Sequence, residues 1–166
     1  MAEEEELSVF TIVDFIFSKG ITWTFLSSSK FSSRTFEEGF LCDAVGCGLY
    51  CNEKDLLFLE ALLCSCVTDY ILNVLNPSIS YQPGNIASIP LCSDVICKSE
   101  IESLAFDNVN ISKNDWNAFE TSWDFKRHPL LRGLGSVQAS FEAWEREASE
   151  RFYQLKANEE ELNRIF

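Results

Sequence analysis

Hydrophobic and polar positions change their spacing several times along the chain, and the changes mark out its elements. Residues 7–17 are rich in Val, Ile, Thr and Phe, which suits a strand. Ser18-Lys19-Gly20 reads as a turn, and residues 21–26 as a second strand. After a serine-rich loop carrying Lys30, residues 31–36 predict a third short strand, closed by Glu37-Glu38-Gly39. Residues 40–45 and 49–50 read as strands separated by Gly46-Cys47-Gly48. Asn52 then opens a helix as a side-chain cap, with Asp55 near its amide end, and the helix runs to about Val74. Asn76-Pro77 stops it, because proline has no amide hydrogen to continue the ladder. Residues 78–90 read as extended, with a turn at Pro83-Gly84, and residues 93 to about 114 as helical. Gly133 and Gly135 precede a last helix over residues 136–165. In it Val137, Phe141, Trp144, Ala148, Phe152, Leu155 and Leu162 recur mostly at steps of three and four, as one apolar stripe.

These elements predict an α+β fold: a small strand-rich half with a buried helix, over residues 1–97, followed by a helical carboxyl-terminal extension, over residues 98–166. One domain, or one domain with a helical extension, is the natural expectation for 166 residues. A hydrophobic share of 46% argues against disorder. Residues 56–75 are nearly apolar, but Glu60, Asp69 and Asn73 interrupt them, so they read as a buried helix and not as a membrane span. Seven cysteines follow an acidic amino-terminal run and read as free thiols in a reducing cytoplasm.

Charge changes the picture more. Thirteen basic against 26 acidic residues leave a net charge of −13, a field that repels DNA as a whole. Any nucleic-acid contact therefore needs a local basic patch. Residues 15–36 contain no acid, and there Lys19, Lys30 and Arg34 sit among Ser27, Ser28, Ser29, Ser32 and Ser33, groups suited to phosphate oxygens. Trp23 and Phe31 in this window read equally as stacking rings or as core, and the window itself as a phosphate site or as a polar loop bordering a sheet. Lys126-Arg127-His128 is a second basic cluster, which either bridges phosphates or pairs internally with Asp115, Glu120 and Asp124. The aromatics Trp116, Phe119, Trp123 and Phe125 read as a packing knot between the two halves.

Other chemistry finds little footing. Asn76-Pro77-Ser78-Ile79 lacks the second proline and the ring of an adenine-methylating loop and reads as a helix stop. Gly46-Cys47-Gly48 lacks a third glycine and reads as a hairpin turn. The cysteine spacings do not form paired Cys-x-x-Cys knuckles, and His128 is the only histidine, so no metal site or cysteine nucleophile is assigned.

Three ordered segments resemble the large adenine-specific DNA methyltransferases of BREX phage-defence systems. They are Gly20-Ile21-Thr22-Trp23-Thr24 running on to Ser28-Ser29-Lys30-Phe31-Ser32, then residues 75–90, then residues 115–131, which begin Asp115-Trp116-Asn117-Ala118-Phe119. The resemblance reaches Asn163-Arg164-Ile165-Phe166. It implies a piece from the target-recognition side, beyond the catalytic domain, that binds double-stranded DNA, and Trp23, Lys30 and Arg34 are carried over to that role. Lys126 and Arg127 join them as the second basic cluster, and with both catalytic motifs missing no catalytic residue is assigned. It implies S-adenosylmethionine only for the intact enzyme, with no cofactor in this chain. Partners beside DNA would be the methyltransferase catalytic domain, other defence subunits, or a second copy through the last helix. Both edges resemble cuts within the family's longer sequence, which implies a remnant, a partial gene product or a separate subunit. A non-enzymatic protein that binds the parent enzyme or another defence subunit is the alternative.

Overall fold

A computed structural model describes residues 17–91 and 97–166. Among them three short strands form one antiparallel sheet in the order β2-β1-β3: β1 (Gly20–Trp23), β2 (Ser33–Phe36) and β3 (Gly48–Leu49). In the register, Ile21 faces Thr35 on one side and Leu49 on the other. Gly20 is required by this crowding. A Cβ there would come within 2.7 Å of both the Leu49 carbonyl oxygen and the Phe36 ring. Of the strand expected over residues 7–17 only Phe17 lies among the described residues, in a turn with φ of 67°.

Five helices follow among the described residues: α1 (Glu53–Leu63), α2 (Cys66–Leu75), α3 (Pro83–Ala87), α4 (Lys98–Trp116) and α5 (Val137–Ile165). The fold class is α+β. One core joins the sheet to the first helices through Ile21, Trp23, Phe31, Leu56, Leu62 and Leu72, among others. A second, of Ala61, Ile101, Ala105 and Leu162, locks α1 to α4 and to the end of α5. Phe166 packs against both. Among the described residues no single helix is long and apolar enough to cross a membrane.

Four expectations are corrected. The long helix from Asn52 is two helices meeting at 71°. Ser65 makes the corner: its Oγ donates to the Leu62 carbonyl at 2.7 Å and accepts from the Thr68 amide at 3.2 Å. It thereby closes α1 and caps α2 with one hydroxyl. Asn52 occupies the position before α1, but its side chain makes no cap hydrogen bond. Residues 40–45 form no strand. Asp43 instead folds them into a turn, its carboxylate accepting from the Val45 and Gly46 amides, which hold its pKa below the usual carboxylate range. Residues 83–87 are a helical turn. Pro83 presets the backbone at the first position, and the Asn85 side chain reaches back to the Gln82 amide at 2.9 Å.

The last helix lies where expected, yet its apolar stripe is only partly covered. Toward its carboxyl end Leu162 is buried, while Val137 is 85% and Phe152 61% exposed. Polar bonds hold much of the inward face. Asn158 Nδ2 donates to Asn108 Oδ1 at 2.8 Å, and Asn163 Oδ1 accepts from the Cys66 amide at 2.8 Å. Arg132 clamps the preceding loop to Glu147 with a bidentate pair.

Candidate nucleic-acid interface

The sheet's second strand and the loop before it carry the first basic window, and the structure divides its members. Trp23 belongs to the core: it is 3% exposed, and its indole nitrogen donates to the Tyr81 carbonyl at 2.8 Å. Phe31 lies beside it, edge-on to Tyr81 with ring centroids 5.1 Å apart. Neither ring presents a face to solvent, so of the two readings of this pair the core one holds. Lys19 is engaged by Glu37 at 3.4 Å, and Glu37 also takes Lys113 at 2.9 Å. Lys113 and Lys19 together hold the Glu37 carboxyl below its usual range. Lys30 and Arg34 remain exposed and enter no ion pair among the described residues.

Both line a cleft of about 690 Å³ between β2, the α1–α2 corner, α4 and α5. At its floor stands Glu60, 7% exposed on α1. Ser33 Oγ donates to Glu60 Oε2 at 3.0 Å, and Cys64 Sγ, one helical turn further on, to Oε1 at 3.8 Å. Burial pushes the Glu60 carboxyl up to about 7, against the opposing pull of these hydrogen bonds and of Arg34. Burial likewise raises the Cys64 thiol, with Glu60 adding to the shift. The cleft also holds Asp69 and Glu159, so its cations do not make it uniformly positive.

The second basic cluster lies in the loop between α4 and α5. Consecutive turns order it: Phe119 donates to Trp116, Ser122 to Phe119 and Phe125 to Ser122 along the backbone. Ser122 Oγ donates to Asn117 Oδ1 at 2.7 Å and accepts from the Asp124 amide at 3.1 Å. Asp115, one of the acids expected to neutralise this cluster, pairs with Arg151 at 3.6 Å. Lys126 and Arg127 are exposed and have no ion pair among the described residues. The packing-knot reading needs correction here. Trp123 is 94% exposed, and its ring lies near-parallel to Phe40 of the first half, with centroids 6.3 Å apart and planes 17° apart. Phe40 packs in turn on Phe36 of β2, and Arg34 shares that face of the strand by alternation. A run of ring contacts thus leads from Trp123 through Phe40 to Phe36 on β2.

No group of three or more His, Cys, Asp and Glu among the described residues is placed to hold a metal ion. Sequence reasoning passed over Glu60, although its break in an apolar run was the available signal. It also assigned Trp123 to packing, because exposure leaves no mark on spacing.

Comparison with known proteins places the chain beside adenine-specific methyltransferases, over nearly its whole length. It is 38% identical over 159 residues to the adenine-specific methyltransferase PglX of Lacticaseibacillus casei (strain Zhang), an overlap of 92% of this chain and 13% of that protein. It is 32% identical over 155 residues to the adenine-specific methyltransferase BrxX of Escherichia coli O9:H4 (strain HS), an overlap of 92% and 12%. No family model matches. The chain is a partial relative of these BREX-type methyltransferases and spans about an eighth of their length.

Proposed function

We propose that this chain is a DNA-recognition element of an adenine-N6 methylation system, with methyl transfer carried out by other polypeptide. The observation that supports it most is that Lys30, Arg34, Lys126 and Arg127 are exposed and enter no ion pair among the described residues, on a chain of net charge −13 that is similar to adenine-specific methyltransferases. Cations left free of the many available carboxylates are suited to phosphate oxygens. Trp23 acts in this reading from inside, by holding the strand from which the basic loop departs. S-adenosylmethionine belongs to the catalytic polypeptide and not to this chain.

Duplex binding followed by fluorescence anisotropy across a salt series tests it. Three or four neutralised phosphates give a log–log slope of about −3 to −4. Lys30→Ala/Arg34→Ala should lower that slope by about 2. Absence of binding at low salt would overturn the reading.

A second reading is favoured by one observation, the uncovered apolar residues from the start to the middle of α5. In it Val137, Phe141 and Phe152 dock on the parent methyltransferase, another defence subunit or a second copy. Light scattering of the purified chain, alone and mixed with a PglX-type enzyme, tests it. A monomer in both cases counts against it.

A further inference from the structure

Trp123 is the most exposed large hydrophobic residue described, and the loop that carries it is ordered. Tryptophan in water carries a hydration cost that burial would remove. The indole lies nearly parallel to the Phe40 ring, with planes 17° apart and centroids 6.3 Å apart, and at 94% exposure its face is open to a ligand. Ser122 fixes the loop from both sides, through Asn117 and the Asp124 amide, so the backbone that presents the ring is held before any ligand arrives.

The surroundings choose the occupant. Trp123 and the half-exposed Phe40 beside it make a small aromatic surface, and Asp124, Lys126 and Arg127 follow within four residues of the indole in sequence. An unpaired Lys-Arg pair beside an open aromatic plane matches a polyanion that carries flat rings. Asp124 is the opposing charge nearest the ring in sequence, and it lies within the field of Lys113, whose ammonium Glu37 stabilises most and Asp124 in addition. Glu120 also lies in the loop, exposed.

We infer that Trp123 is a base-stacking element, taking an unstacked nucleobase on its open face while Lys126 and Arg127 hold the adjoining phosphates. The inference rests on the DNA-recognition reading and adds to it a preference for opened DNA. A flat π-surface accepts any base, so the contact favours a displaced base without selecting its sequence.

The test compares binding to a short duplex and to the same duplex carrying a single-base bulge. The full chain should favour the bulged duplex, and Trp123→Ala should remove that preference by roughly five- to a hundredfold. Its salt slope should stay unchanged, because no phosphate contact is lost. Trp123→Phe should keep part of the preference. Lys126→Ala/Arg127→Ala should lower the slope by about 2 on both duplexes. Cooperative melting of each variant, expected for a surface position, separates loss of contact from loss of fold. If Trp123→Ala keeps the full preference while Lys30→Ala/Arg34→Ala weakens binding, the stacking inference fails and the DNA reading stands. If Trp123→Ala changes only co-purification with a methyltransferase subunit, the ring is a protein contact and the inference fails. If the unaltered chain binds neither duplex, the DNA reading fails and takes the inference with it.

Discussion

Ser33 on β2 donates a 3.0 Å hydrogen bond to the buried carboxyl of Glu60 on α1, joining the sheet to the helix at the floor of the cleft. The bond gives Glu60 a polar partner but does not offset its loss of water, and the carboxyl is raised to about 7 from an ordinary 4.5. A carboxyl with a raised folded pKa binds its proton more tightly in the native state than in the unfolded one. Its contribution is therefore fully present below about 4.5 and is lost as pH rises through about 7.

Glu60→Gln removes that dependence while keeping an oxygen for Ser33. The shift of pKa corresponds to about 3 kcal/mol as an upper bound. The variant should melt higher than the unaltered chain at pH 8 and at nearly the same temperature at pH 4. Thermal unfolding at both pH values checks it. Parallel curves at a constant separation would mean that Glu60 titrates at its ordinary value in the folded chain.

Trp23→Phe leaves the Tyr81 carbonyl without its indole donor and opens space in the first core. The cost should be about 1–3 kcal/mol, the penalty of an unsatisfied buried acceptor. DNA binding by the folded fraction should keep its salt slope, since the ring is internal. Urea denaturation and anisotropy on the same samples measure both. Unchanged stability together with lost binding would return Trp23 to the interface.

Ser65→Ala removes the hydroxyl that closes α1 and caps α2. Thr68 Oγ1 still donates to the Leu62 carbonyl at 2.6 Å, so the corner keeps one of its side-chain bonds. A loss of about 1 kcal/mol is expected, the usual worth of an N-cap. The urea midpoint should fall with no change in slope. A neutral result would show that the 71° corner does not depend on the Ser65 hydroxyl.

Much of the organisation was readable from residues in sequence. The Ile21–Trp23 pattern, the stop at Asn76-Pro77 and the long carboxyl-terminal periodicity each follow from local rules on backbone and spacing. The corner at Ser65 was also locally encoded. Its signal, a capping serine with Asp69 in the next helical turn, was hidden inside a continuous apolar run. The turn at Asp43 and the helix at Pro83 were misread because single side chains outweigh the average propensity of their neighbours.

What the sequence by itself determined is what acts over a few residues: helix and strand periods, caps, stops and the distribution of charge. Which face each element turns inward, and what meets it there, was decided only by tertiary packing. Glu60 became a buried, weakly acidic carboxyl because β2 closed over α1. Lys19 was neutralised because Glu37 lay within reach of both it and Lys113. Trp23 went inside and Trp123 stayed outside, although both are tryptophans among mixed neighbours. Burial and electrostatic pairing depend on contacts between distant positions, and local spacing carries no record of those contacts.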